Sequence, residues 1–312
     1  MQALFEVILP VFLLIGFGYL ANWRRWIGDG AIDGLMTFAQ SFAVPCLLFQ
    51  SIARLDLGAE FDLGLLVSFY AGAFVCFGLG YVGARRLFRR TPVDAVAIGF
   101  VCLFSNTLLL GLPIMERAYG SEALAGNFAI ISIHAPLLYA AGVTAMEFAR
   151  SQGSGLPARR VARQIGRSLV RNPLVIGISL GLVVNLARIP MPEPVMAGVG
   201  MMARAALPAA LFGLGGVLVR YRPEGDTKTI LMVCVLSLAV HPAITWGLGR
   251  HVFALSVDQL RSAVVTASAA PGINAFLFSS MYGAARRVAA SSVLISTALA
   301  LLTVWFWISV LP

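Results

Sequence analysis

FSNTLLLGLP (residues 104–113) and AAPGINAF (residues 269–276) are the two stretches on which the fold turns. Each lies inside an apolar run and places helix-disfavouring residues where a bilayer-spanning helix would have its middle. In the first, Asn106, Gly111 and Pro113 oppose a continuous helix. In the second, Pro271 removes a donor, Gly272 loosens the backbone and Asn274 supplies an amide. Interrupted backbone persists in hydrocarbon only where it is buried in protein or lines a water-filled cavity. Two interruptions at corresponding places predict that the segments cross, as broken helices 4 and 9 of a ten-helix chain.

The surroundings of these stretches are those of an all-α integral membrane protein. Of 312 residues, 59% are hydrophobic and 12% charged, and the mean hydropathy is +0.87. A soluble enzyme, a disordered chain or a secreted disulfide scaffold each needs a different balance. Apolar runs of spanning length fall at 4–22, 32–53, 63–84, 93–119, 123–149, 168–187, 195–219, 229–253, 263–282 and 288–311. Cys46, Cys76, Cys102 and Cys234 lie inside these runs without metal-ligand spacing, so no zinc site, disulfide framework or other metal site is expected. The net charge of +9 falls between spans, not on a groove-binding face, which argues against nucleic acid as a partner. Seventeen Lys and Arg residues fall in the odd-numbered loops and five in the even ones. That asymmetry puts the odd loops in the cytoplasm and both termini on the outer, periplasmic side of the cytoplasmic (inner) membrane.

An offset of 163 residues maps Pro10 to Pro173, Gly18 to Gly181, Asn22 to Asn185, Pro45 to Pro208, Phe49 to Phe212 and Tyr119-Gly120 to Tyr282-Gly283. The chain therefore divides into five-helix repeats at 1–149 and 172–312, joined by an arginine-rich cytoplasmic linker at 150–171. An odd number of spans per repeat makes the two inverted, an arrangement in which substrate sits near midplane beside discontinuous helices.

Crossed breaks would aim half-helix N-termini, with unpaired N–H groups and partial positive charge, at one polar spot that favours an anion. Ser105, Asn106, Thr107, Pro271, Gly272 and Asn274 are the candidate substrate residues there. The plainer reading of Ser105 and Thr107 is back-bonding to their own helix. Arg204 has no adjacent acid and lies one turn before Pro208. It either receives a carboxylate or snorkels to the outer interface. Gln50, beside Pro45, either polarises a substrate path or bonds a neighbouring helix. Pro45, Pro208, Gly111 and Pro113 are expected helix breaks. His134, before Ala135-Pro136, and His241, before Pro242, are either proton relays or hydrogen-bonded packing residues. Asp94 and Glu147, near cytoplasmic ends, are expected to pair with the arginine-rich loops. Nucleophile–base pairs, HExxH and Walker motifs are missing from the spans, so an enzyme is not expected.

NTLLLGLP (106–113) followed by Tyr119-Gly120 resembles the fourth-helix motif of the auxin efflux carrier family, which includes the plant PIN carriers. PGINAF (271–276) resembles that family's ninth-helix crossover, and PCLLF (45–49) and Asn172-Pro173 extend the similarity over most of the chain. The resemblance implies the ten-helix fold shared with bile acid and sodium/proton transporters. It implies helices 1, 2, 6 and 7 as a scaffold that forms a homodimer, and helices 3–5 and 8–10 as a moving transport domain. Elevator-like alternating access would follow. Short bacterial members often look like malonate carriers, and this chain is closer to those than to plant carriers with their long cytoplasmic loop. Plant carriers have proline immediately before the fourth-helix asparagine; Ser105 stands there in this sequence, which implies a milder first break.

Together these point to a secondary transporter of small organic anions, malonate or a related carboxylate. No cofactor is expected, and proton, sodium and potential coupling all stay open. The alternatives are an exporter of auxin-like aromatic acids and a membrane sensor that binds a ligand without moving it.

Overall fold

The computed structural model describes residues 4–54, 62–150, 173–221 and 226–312. Most of the arginine-rich linker at 150–171 lies outside these. The described residues are helical: α1 (Leu9–Trp23), α2 (Asp29–Phe38), α3 (Val44–Ala53), α4 (Leu63–Arg86), α5 (Pro92–Leu103), α6 (Leu112–Tyr119) and α7 (Ala125–Arg150) precede the linker. After it come α8 (Pro173–Leu186), α9 (Glu193–Leu218), α10 (Thr227–Val235), α11 (His241–His251), α12 (Val257–Ala267), α13 (Ile273–Tyr282) and α14 (Arg286–Val310). Among the described residues seven helical stretches are long and apolar enough to cross a membrane. The shorter segments are α8, which starts where description resumes, and the two pairs α5/α6 and α12/α13, each parted by a break.

Caps set the ends of several helices. Asp62 accepts from the Gly64 amide at 2.6 Å to start α4, and Thr91 accepts from Asp94 at 3.1 Å to start α5, with Pro92 in its first turn. Ser256 and Gln259 form a reciprocal capping box that starts α12 six residues before the apolar run expected at 263. Among the described residues Asp94 pairs with no arginine: its carboxylate accepts from the backbone N–H of Ala285, a non-glycine residue in the left-handed region at φ +46°.

Four five-residue π-turns, Leu4–Ile8, Ala39–Ala43, Thr107–Gly111 and Leu236–Val240, each end two residues before a proline, namely Pro10, Pro45, Pro113 and Pro242. A proline cannot donate to the carbonyl four residues back and its ring crowds that carbonyl. Widening the preceding turn by one residue relieves the crowding without ending the helix. Two of the carbonyls so deprived gain side-chain donors: Glu6 O accepts from Arg117 Nε at 2.7 Å, and Leu238 O from Trp307 Nε1 at 3.0 Å. This corrects the expected breaks. Pro45 lies in one helical stretch, Asp29–Ala53, and Pro208 inside continuous α9. Pro113 and Gly111 lie in or after a π-turn downstream of the actual interruption.

The chain forms two compact units. One contains Pro10–Phe61 and Gly166–Arg220, hence most of α1 with α2, α3, α8 and α9. Small residues let its helices touch backbone to backbone: a methyl at Gly18 would come within 1.9 Å of Phe212 O, and one at Gly181 within 2.9 Å of Phe49 O. Gly18 and Gly181 stand 163 residues apart, as do Phe49 and Phe212, so these two contacts are counterparts under the offset read from the sequence. Arg220 closes the unit with bonds to Asp33 at 2.8 Å and Asp29 at 3.4 Å. The other unit contains Met1–Leu9, Asp62–Ile165 and Tyr221–Pro312, hence α4–α7 and α10–α14. Both broken segments belong to it.

Candidate functional site

In the second unit α5 stops at Leu103 because the chain leaves helical geometry at Phe104 (ψ 81°) and Asn106 (φ −80°, ψ 65°). Asn106 then restarts it: its side-chain oxygen accepts from the Leu109 amide at 3.1 Å, capping the π-turn that leads into α6. On the other segment α12 ends at Ala267, and Gly272, in extended geometry, precedes α13. The two interruptions meet. Asn106 N–H donates to Ala270 O at 2.8 Å and Gly272 N–H to Phe104 O at 2.9 Å, so Ser105 and Pro271 face each other in a two-bond antiparallel bridge. Serine in place of proline at 105 therefore does not soften the first break, which is complete.

The backbones approach closely. A carbon added at Gly272 would lie 3.5 Å from Asn106 Cα. Ser105, Asn106, Thr107, Pro271 and Gly272 are buried, whereas Asn274, in the first turn of α13, is exposed. Gly272 offers no side chain to cap α13, so the N–H groups of that first turn keep the partial positive charge of a helix start.

One helix holds both breaks, and sequence reading passed over most of its part in doing so. Along α7, Asn127 Nδ2 donates to Thr266 Oγ1 of α12 at 2.7 Å, and His134 Nε2 lies 3.1 Å from Ser105 O. Further on, the Tyr139 hydroxyl donates to Asn274 O at 3.3 Å, and Arg150 donates to Tyr282 O at 2.9 Å while lying over the Tyr282 ring. Asn127 and Tyr139 give little signal, since a single polar residue in an apolar run has no spacing that marks it. Rings fill the space beside the bridge: Phe104 lies 4.7 Å from His134, and Phe100 stacks on Phe278 at 3.8 Å. His241, on α11, sets its Nε2 3.1 Å from Phe69 O.

Arg204 and Gln50 belong to the first unit, on α9 and α3. Both reach over Gly200: a carbon built there would lie 3.5 Å from Gln50 Nε2 and 3.6 Å from Arg204 Nη1. Arg204 is exposed and, among the described residues, makes no ion pair. No cluster of metal-ligating side chains occurs among the described residues.

Residues 3–308 match a family model described as membrane transport protein, that of the auxin efflux carriers. The chain belongs to this family. Across the auxin efflux carrier family it is similar to the "Putative malonate transporter" of Rhizobium meliloti (strain 1021), at 26% identity over 96% of this chain and 92% of that one. It is also similar to the uncharacterized transporter YfdV of Escherichia coli (strain K12), at 21% identity over 97% and 96% of the two chains. Auxin efflux carrier component 5 of Arabidopsis thaliana shares 20% identity over 89% and 88%. Family and apolar helices together make this a multi-pass membrane protein of a transporter family.

Proposed function

We propose that this chain is a secondary transporter of small organic anions, malonate or a similarly short carboxylate, in the cytoplasmic membrane. The observation that carries the reading is the two-bond bridge between Phe104–Asn106 and Ala270–Gly272. It joins two helix breaks in apolar surroundings and leaves an uncapped helix start beside them. A carboxylate there would be held by backbone N–H groups and polar side chains without a fixed counter-ion. Ser105, Asn106, Thr107, Pro271, Gly272 and Asn274 form this seat; Arg204, beside Gln50 within the first unit, is a separate planar, bidentate donor for carboxylate. The similarity to a protein named for malonate supports the substrate class. The reciprocal contacts of Gly18 with Phe212 and Gly181 with Phe49 support two inverted five-helix repeats. Alternating access proceeds by displacement of the crossover-bearing unit, while the unit of α1–α3, α8 and α9 serves as scaffold and dimerises.

The test is counterflow of labelled malonate in proteoliposomes. Exchange that unlabelled malonate competes and indole-3-acetate does not is the expected result. Exchange competed by indole-3-acetate alone would favour the aromatic-acid exporter, and saturable binding without exchange would favour a sensor.

A further inference from the structure

The crossover-bearing unit buries two imidazoles that the anion seat does not use. His134 is 3% exposed and His241 1%. Each places Nε2 3.1 Å from a backbone carbonyl, Ser105 O and Phe69 O respectively. A carbonyl only accepts, so Nε2 carries the hydrogen in both rings and Nδ1 is left with a bare lone pair. Both Nδ1 atoms are buried without a hydrogen-bond partner, a costly arrangement for groups that merely pack.

The two rings bracket Phe69, whose ring centroid is 5.7 Å from His134 and 5.0 Å from His241. More unsatisfied buried oxygens sit alongside. Ser105 Oγ belongs to the bridge itself, Ser68 Oγ neighbours Phe69, and Thr245 Oγ1 lies one turn beyond His241. The elements packed on His134 present Phe69 and Tyr70 from α4 and Phe104 and Ser105 from the bridge, with His241 of α11 on the other side of Phe69. The titratable groups facing it are thus Tyr70, whose hydroxyl donates to Ile130 O at 2.8 Å, and His241. Nearly two turns further along α4, the Cys76 thiol donates to Leu236 O at 3.3 Å. No carboxylate is hydrogen-bonded or paired to either imidazole among the described residues.

We propose that His134 is the proton-binding residue that couples anion movement to a proton gradient, its Nδ1 taking up one proton when the seat fills and returning it to water when the seat empties. The inference rests on the crossover being an anion seat. Proton uptake forms one N–H bond at Nδ1 and leaves the Nε2–H bond to Ser105 O in place. The resulting cation is one hydrogen bond away from the bridge and has no fixed partner. Burying it alone is unfavourable, as is seating an anion in hydrocarbon alone. Each charge therefore raises the affinity for the other, and the effect is reciprocal.

The experiment is accumulation of labelled malonate in proteoliposomes with the membrane potential clamped and the lumen made more alkaline. For one proton per anion, a gradient of about one pH unit should drive roughly tenfold accumulation by the wild type. His134→Gln keeps an N–H for Ser105 O but has no basic nitrogen. It should exchange malonate more slowly and show no accumulation driven by the gradient. Wild-type accumulation that ignores the gradient, or full gradient-driven accumulation by His134→Gln, overturns the inference. Lack of malonate exchange by the wild type with no gradient imposed overturns the anion-transporter reading instead. Should the variant fail to reconstitute, proton uptake on adding malonate to the wild type in weakly buffered detergent at pH 7.5 decides. About one proton per malonate bound is expected, and none overturns the proposal.

Discussion

A methyl group at Gly18 would land 1.9 Å from the Phe212 carbonyl oxygen, whereas one at Gly272 would meet Asn106 no closer than 3.5 Å. The first is a helix–helix contact with backbone on the far side, which has little room to retreat. Gly18→Ala should therefore destabilise the protein by about 3 kcal/mol, the upper end of ordinary overpacking, read as a lower unfolding midpoint in detergent. Gly272 has an ordinary φ of −78°, so Gly272→Ala should stay within about 1 kcal/mol of neutral. Malonate uptake should nonetheless fall, because the methyl fills the polar break. For Arg204, a lysine keeps the charge but loses the planar fork. Arg204→Lys should weaken the apparent affinity for malonate about tenfold, measured as the half-saturating concentration for uptake; an unchanged value would assign the arginine to the interface. At this scale the sequence points to the candidates by residue type, but it does not show which polar atoms converge. Asn274 is the exposed member of the proposed seat, while Asn127, a lone amide in an apolar run, ties two helices together.

Proline marks trouble for a helix, yet in this protein the trouble is mostly absorbed within the helix. The π-turn before Pro242 leaves Leu238 O to the indole of Trp307. Trp307→Phe should thus strand a buried carbonyl at a cost of about 1–3 kcal/mol. Pro242→Ala restores a backbone donor, so the same tryptophan change should cost less in that background, a coupling that a double-mutant cycle of unfolding midpoints reads directly. Asp226 caps α10 and meets Arg90 at 3.4 Å. The Thr229 hydroxyl above all, with the Lys228 and Thr229 amides and Arg90, holds its carboxyl below the usual 3.8 despite some desolvation. A depressed carboxyl stabilises the fold above its ordinary pKa and loses that contribution as pH falls through the lowered value. The wild-type unfolding midpoint should therefore drop in acid below about pH 4, with Asp226→Asn lowering the neutral-pH midpoint and flattening that part of the acid dependence. Helix existence and approximate extent could be read from apolar runs. The start of α12 could not, because its first turn is polar and its signal is the Ser256–Gln259 box, not hydrophobicity.

For the molecule as a whole, the arginine asymmetry makes a prediction independent of transport: a reporter fused to either terminus should be active only on the outer face of the membrane, and a cytoplasmic signal from both would invert the topology. The all-helical, membrane-spanning character could be read from the sequence because the physics of spanning a bilayer leaves few options, and the close contacts of Gly18 with Phe212 and of Gly181 with Phe49 pair glycines 163 residues apart with phenylalanines 163 residues apart. The manner in which the breaks are supported could not be read, since α7 does it with side chains scattered at 127, 134, 139 and 150. Those four fastenings have a consequence for selectivity. If the proposed seat holds a short carboxylate, bracing along α7 would leave it little freedom to mould itself to its guest, so discrimination would come from what fits rather than from what induces closure. Such a berth would tolerate isosteres of the right length and refuse longer homologues, however similar their end groups.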